Sequence, residues 1–329
     1  MEKYNICFSL DSNYVEQFMV SVVSILKNAD ADDNINLYVL DGGLTLKHKQ
    51  DIEKLKEIKP FEINYIQMDN NEFKNCPMLC DMNKNFDDYH VTVPTYYRFK
   101  LAEVLPYLDK ILYLDCDVIV KTSLKDLFDI DISQNSILMA KDVNSETEAK
   151  RLGLDNYYNA GVMLINLDFW RKNDVQNRLF EFAENNKDII LWQDQDVINC
   201  VLNTSIKELP NKYNYQYFLY KEIDFEECKN CSILHLAGAF KPWLKPLEHF
   251  LYDEYYFYLS FTPYKDKIIE YKQKSFGKYL KNNIGYSFDN IMYVADEFEL
   301  AIQSEEIYKK EDNNCICKKV FGLFKKDRE

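Results

Sequence analysis

Residues 111–120, ILYLDCDVIV, form the most apolar run in the chain, interrupted only by Asp115 and Asp117. Such a run reads as a buried strand. Residues two apart on an extended chain share a side, so the two carboxylates stand together at the strand's carboxyl end. There they repel each other unless a cation lies between them. Oxygen ligands suit Mn²⁺ or Mg²⁺, ions that commonly hold substrate phosphates as well. A strand that ends at a solvated acidic turn satisfies the same short motif, so the pair needs support from elsewhere in the chain.

The surrounding pattern supplies a frame. Residues 4–10, 35–40 and 61–68 read as strands, and residues 15–26 and 46–58 between them carry apolar positions at helical spacing. Pro94 opens a further helix at its first position. Residues 136–140, 161–167 and 232–236 read as later strands, and 169–186 and 194–202 as helices. This alternation predicts an α/β fold with a mainly parallel central sheet flanked by helices. Ligands of such sheets bind beyond the carboxyl ends of the strands. The texture changes near residue 250, where tyrosines and Phe257 crowd together, so the chain divides into 1–250 and a mostly helical C-terminal extension, 251–329, with a basic and aromatic tail. The aromatic cluster at 252–258 reads as core or as a platform for an acceptor.

Composition removes several function classes. Lys and Arg number 40 against 54 Asp and Glu, a net charge of −14 that argues against nucleic-acid binding. With eight glycines there is no G-x-G-x-x-G and no G-x-x-x-x-G-K-[ST], which excludes a dinucleotide fingerprint and a P-loop. Neither G-x-S-x-G nor H-E-x-x-H occurs. The nine cysteines are odd in number and irregular in spacing, which fits a reducing compartment better than a disulfide framework. Cys228 and Cys231 have the spacing of half a zinc site without a matching second pair. The first residues do not resemble a signal peptide, and no run of about 18 apolar residues occurs, so the expected location is cytoplasmic.

Four further constellations accompany the aspartate pair. His235 lies in HLAGAFKPW, where small residues allow close backbone approach and Lys241 can neutralise a phosphate; a satisfied core histidine is the plainer alternative. Asp194 or Asp196 in QDQD can cap the helix that follows, or bind a ligand. Asn159-Ala160-Gly161 is either a polar turn into a strand or part of a site. Asp11-Ser12-Asn13-Tyr14 follows the first strand, the natural place for a nucleotide base and ribose, with Asn13 as a helix cap the simpler reading.

Taken in order, FSLDSNY, HVTVPTYYRFKLAEVLP, KILYLDCDVIV, NAGVMLINLDFW, WQDQDVIN and HLAGAFKPW resemble glycosyltransferase family 8, over residues 4 to about 245. That family includes bacterial lipopolysaccharide galactosyl- and glucosyltransferases, and glycogenin is a relative. The resemblance implies a GT-A fold, a UDP-hexose donor and a retaining transfer to a glycan or glycolipid acceptor. It further implies that Asp11, Asn13 and Tyr14 hold uridine and ribose, that His90, Val91 and Thr92 line the base and donor region, and that Arg98 reaches the sugar or diphosphate. Asp115, Asp117 and His235 would ligate Mn²⁺, with Mg²⁺ as the substitute. Asp142, Asn159, Asp194 and Gln195 would bind the sugar, Gln195 near the anomeric carbon, and Gly238 and Lys241 would contact the diphosphate. Cys116 is an unusual middle residue for the D-x-D motif, and its side chain is expected to point away from the metal. The segment after Lys141 is shorter and more polar than the family pattern.

Three other readings compete. A glycogenin-like self-glucosylating protein needs an exposed acceptor among the 25 tyrosines. An inactive UDP-sugar-binding module is disfavoured by the presence of all three metal-ligand candidates. A metal-dependent phosphatase or nucleotidyltransferase calls for more carboxylates or a Gly-rich loop. The tail CICKKVFGLFKK is either a peripheral anchor on the inner face of the membrane or a solvated end.

Overall fold

The computed structural model describes residues 3–78, 92–217, 224–238, 241–243 and 250–272. Seven strands form the main sheet: β1 (Lys3–Leu10), β2 (Asn34–Asp41), β3 (Glu62–Gln67), β4 (Lys110–Leu114), β6 (Ile137–Lys141), β7 (Tyr158–Asn166) and β8 (Ile206–Glu208). Their order is β3-β2-β1-β4-β7-β6-β8. Neighbours in β3-β2-β1-β4 run parallel, and β7 runs antiparallel to both β4 and β6. Ile111, Leu112 and Leu114 are fully buried, as strands covered on both faces require. The mixed sheet with flanking helices is the expected α/β architecture.

A second sheet contains β5 (Val118–Val120), β9 (Tyr215–Gln216) and β10 (Ile233–His235), in the order β5-β10-β9. The expectation of one strand over 111–120 is therefore corrected. The chain leaves the large sheet after Leu114, turns through 115–117 and enters the small sheet at Val118. The break has a tertiary cause. The Asp115 amide donates to Gly161 O at 2.8 Å, whereas Val118 pairs with His235. Helix Val15–Asn28 pins the far side of the turn. The Ser21 hydroxyl oxygen lies 2.7 Å from the carbonyl oxygens of both Cys116 and Val118, and Ser24 Oγ accepts from the Val120 amide.

Three other expectations are refined. The segment opened by Pro94 is a 3₁₀ helix over Val93–Lys100, followed by one α turn. The predicted helix 169–186 is two helices, Leu167–Lys172 and Val175–Asn185, separated where Asp174 adopts φ 51°. Asp11, and not Asn13, caps the short 3₁₀ helix Ser12–Tyr14, its carboxylate accepting from the Asn13 amide.

The chain divides into two units, Met1–Lys245 with His249–Asp266, and Pro246–Glu248 with Lys267–Glu329. Of the second, only 267–272 are described. Within the first, helix Phe250–Leu259 lies against helix Val15–Asn28: the Tyr255 hydroxyl donates to Glu16 Oε1 at 2.8 Å, and Asn28 Nδ2 donates to the Tyr258 hydroxyl. The aromatic cluster is thus mainly core, with Tyr252, Tyr255, Tyr256 and Tyr258 buried and Phe257 exposed. Tyr256 also donates to Pro242 O at 3.1 Å, and the Trp243 ring packs at a tilt against that of Tyr255, centroids 5.1 Å apart, which braces the segment that carries Lys241.

Candidate active site

Topology brings the aspartate pair and His235 together. Asp115 follows β4 and faces β7 across Gly161, while Asp117 precedes β5, whose partner β10 ends in His235. One ligand atom from each of Asp115, Asp117 and His235 lies within 4.8 Å of the others, the one such cluster among the described residues. His235 Nε2 stands 3.3 Å from Asp117 Oδ1, and its Nδ1 is 3.0 Å from Asn214 Oδ1. Cys116 is turned away, its thiol near Ser9 O at 3.6 Å. Two carboxylates and an imidazole are a donor set that fits Mn²⁺ or Mg²⁺.

Fixed cations flank the pair. Lys241 Nζ bonds Asp117 Oδ2 and also reaches Leu236 O. Burial alone would raise the Asp117 carboxyl, but the Lys241 ammonium beside it holds it well below the usual carboxylate range. Arg98 is buried and spans three partners: Nη2 donates to Asp115 Oδ1 at 2.9 Å, Nη1 donates to Ala160 O at 2.7 Å, and Nη1 lies 3.1 Å from Asp194 Oδ2. Its guanidinium also lies over the Tyr113 ring, 4.1 Å from the centroid. Burial opposes its charge, yet Asp194, Tyr113 and Asp115 keep it firmly protonated.

Helix Gln193–Leu202 carries the next group. Its N-cap is Trp192, without a side-chain cap bond, so neither Asp194 nor Asp196 caps it. Asp194 instead accepts from Thr95 Oγ1 and pairs with Arg98. Burial pushes its carboxyl up to about 6, against the pull of Arg98. Asp196 is fully buried and accepts from Arg151 Nη2 at 2.7 and 2.9 Å, from Tyr157 OH, and from the Leu191 and Trp192 amides. It is a structural anchor for the turn into the helix, where Gln193 adopts φ 38°.

Gln195 is fixed at both ends. Its Oε1 accepts from the Ala160 amide at 2.9 Å and its Nε2 donates to Asp142 Oδ2 at 3.2 Å. Asn159 Nδ2 donates to the same Asp142 oxygen, and Asp142 Oδ1 accepts from the Asn144 amide. Asp142, Asn159 and Gln195 are therefore one hydrogen-bonded group, joined to the Arg98–Asp194 pair through Ala160.

The remaining candidates are placed as follows. Asp11, Asn13 and Tyr14 follow β1, which neighbours β4 in parallel, so the carboxyl ends of both strands lie at the same end of the sheet. Asn13 is exposed, and Asp11 and Tyr14 are half-buried. Thr92 is half-buried at the start of the 3₁₀ helix, and His90 and Val91 lie outside the described residues. Gly238 adopts φ 78°, a left-handed conformation that favours glycine. Sequence reasoning missed Asn214, Thr95 and Arg151, because each acts through a partner distant in the chain. It read Gly161 only as part of a turn or site, whereas the space beside it is taken by the His235 ring.

The family described as Glycosyl transferase family 8 has a model that matches residues 5–246. General stress protein A of Bacillus subtilis is 26% identical, covering 77% of this chain and 91% of its own. The lipopolysaccharide 1,2-glucosyltransferase of Escherichia coli K12 is 25% identical, covering 83% of this chain and 84% of its own. The lipopolysaccharide 1,3-galactosyltransferase of Salmonella typhimurium is 27% identical over 74% of this chain and 73% of its own. Among solved structures, the galactosyltransferase LgtC in complex with donor and acceptor sugar analogues superposes with a TM-score of 0.67 at 26% identity, over 79% of this chain and 96% of that one.

Proposed function

This chain belongs to glycosyltransferase family 8 and is a UDP-sugar-dependent hexosyltransferase, and from that premise we propose that it moves galactose or glucose, with retention of configuration, to a glycan acceptor of the lipopolysaccharide type in a Mn²⁺-dependent reaction. The observation that carries this reading is the convergence of Asp115, Asp117 and His235 beyond the carboxyl end of β4, beside the end of β1 that leads into Asp11 to Tyr14.

In this reading Asp115, Asp117 and His235 Nε2 hold the metal, with Mg²⁺ as its substitute. When bound, the metal supplies positive charge to the departing diphosphate. Lys241 adds a fixed point charge on the same leaving group, and Gly238 allows its backbone to come close. Asp11, Asn13, Tyr14 and Thr92 bind uridine and ribose, with His90 and Val91. Asp142, Asn159 and Asp194 orient the sugar hydroxyls, and Arg98 holds Asp115 and Asp194 in place.

Retention needs either a carboxylate nucleophile or attack on the face that the diphosphate leaves. Asp194 is taken up by Arg98 and Thr95, Asp196 by Arg151 and Tyr157, and Asp142 by Asn159, Gln195 and Asn144. These commitments favour same-face attack, in which the leaving phosphate oxygen takes the acceptor's proton. The Gln195 carbonyl, anchored by the Ala160 amide, keeps a lone pair for the positive charge that develops at the anomeric carbon.

The tail beyond residue 314 is read as a peripheral contact with anionic lipid through Lys318, Lys319, Lys325, Lys326 and Arg328. Deleting it should release the protein from sedimenting membranes; undiminished sedimentation removes that part of the reading. Among the described residues, no helix is long and apolar enough to cross a membrane.

Donor hydrolysis tests the main reading without knowledge of the acceptor. With Mn²⁺, one of UDP-galactose and UDP-glucose should be cleaved preferentially, and chelation should abolish cleavage. Failure to cleave either donor, or equal cleavage after chelation, overturns it.

A further inference from the structure

Asn214 is fully buried, immediately before β9. Its Oδ1 lies 3.0 Å from His235 Nδ1, and its Nδ2 donates to Asn159 Oδ1 at 2.9 Å. The hydrogen bonds beyond it decide which end of the amide faces which neighbour. The Gly161 amide, necessarily a donor, meets Asn159 Oδ1 at 2.9 Å, and Asn159 Nδ2 meets the Asp142 carboxylate at 3.2 Å. Asn159 is thereby oriented at both ends. The second lone pair of its Oδ1 calls for a donor, so Asn214 presents its NH₂ there and its carbonyl to His235.

A carbonyl opposite Nδ1 places the proton on Nδ1. A neutral imidazole then has its lone pair on Nε2, the atom 3.3 Å from Asp117 Oδ1. The same short strand also steadies the sugar side of the site. Gln216 Nε2 donates to Lys141 O at 2.8 Å and its Oε1 accepts from the Val143 amide at 3.2 Å, bracketing Asp142.

We propose that Asn214 is a positioning residue that sets the tautomer and ring orientation of His235 for cation binding and, through Asn159, ties that ligand to the sugar pocket. This rests on reading Asp115, Asp117 and His235 as the cation site. Partners of metal-bound histidines typically contribute 10–100-fold to affinity.

The test is Mn²⁺ titration of the full chain without nucleotide, followed by donor kinetics. Asn214→Leu should weaken Mn²⁺ binding about 10–100-fold, and in a His235→Ala background it should add no further loss. Asn214→Asp keeps an acceptor for Nδ1–H but sets oxygen against Asn159 Oδ1, so Mn²⁺ affinity should persist while the donor KM rises. If His235→Ala loses Mn²⁺ and Asn214→Leu does not, the proposal alone falls. If His235→Ala binds Mn²⁺ as the wild type does, the cation reading falls and takes the proposal with it. A ¹H–¹⁵N spectrum of the four histidines in the wild-type chain needs no variant to fold. It should show His235 protonated at Nδ1 when neutral, and an Nε2–H tautomer overturns the proposal.

Discussion

A Cβ on Gly161 would overlap Cε1 of the His235 ring and lie 3.0 Å from Asp115 Oδ2. The histidine therefore occupies the place of the missing side chain, and backbone hydrogen bonds hold β7 where it is. Gly161→Ala should displace the imidazole. A misplacement of that scale costs on the order of 100-fold in turnover, and overpacking adds about 1–3 kcal/mol of destabilisation. Donor hydrolysis and urea unfolding measure the two effects, and wild-type turnover would contradict the geometry.

Gln195→Ala removes the anchored carbonyl. The expected result is a fall in kcat of about 100-fold or more, with the donor KM little changed. Intact-mass analysis during turnover should show no glycosyl adduct, because Asp194 and Asp196 are engaged by Arg98 and Arg151. An adduct on either aspartate refutes same-face attack.

Arg151→Met tests the anchor of the turn before helix Gln193–Leu202. It leaves the Asp196 carboxylate fully buried without its guanidinium. Breaking a buried pair in this way costs about 3–5 kcal/mol. Adding Asp196→Asn should recover part of that loss, as read by urea denaturation.

Asp194 gives a pH signature. Burial raises its carboxyl to about 6 in the folded protein, above its ordinary value of 3.8. The folded state therefore binds this proton more tightly than the unfolded chain. The resulting stabilisation is complete below about 3.8 and is lost as the pH rises through about 6. The Tm of the wild type relative to Asp194→Asn should fall between pH 4 and pH 7. A difference that is flat across that window would contradict the shift.

Much of the frame was legible because it is local. The alternation of strands and helices, the apolar run at 111–120 and the ordered motifs that carry the family resemblance all lie on the page of the sequence. The break in that run was not, because its cause is the choice of partners: Gly161 takes the amide of Asp115, and His235 pairs with Val118. The break at Asp174 had a local cue in the polar stretch RKND, since aspartate tolerates the left-handed conformation.

The site divides along the same line. Asp115, Asp117 and His235 converge as the motifs suggested, and Asp142, Asn159 and Gln195 share hydrogen bonds. The capping role considered for Asp196 gave way to Arg151, 45 positions earlier, a pairing that no spacing rule encodes. Asn214 sits among aromatic residues in KYNYQ and offers no motif of its own.

The turn at 115–117 has a mechanical consequence. Asp115 closes a strand of the seven-stranded sheet, whereas Asp117 opens one of the three-stranded sheet. A cation gripped by both, as proposed above, would be a rivet across two hydrogen-bonding systems and would stiffen the smaller one, whose strands span only two or three residues. Deuterium uptake at Val118–Val120 and Ile233–His235 should slow when the rivet is in place, so the backbone reports loading before any sugar is transferred.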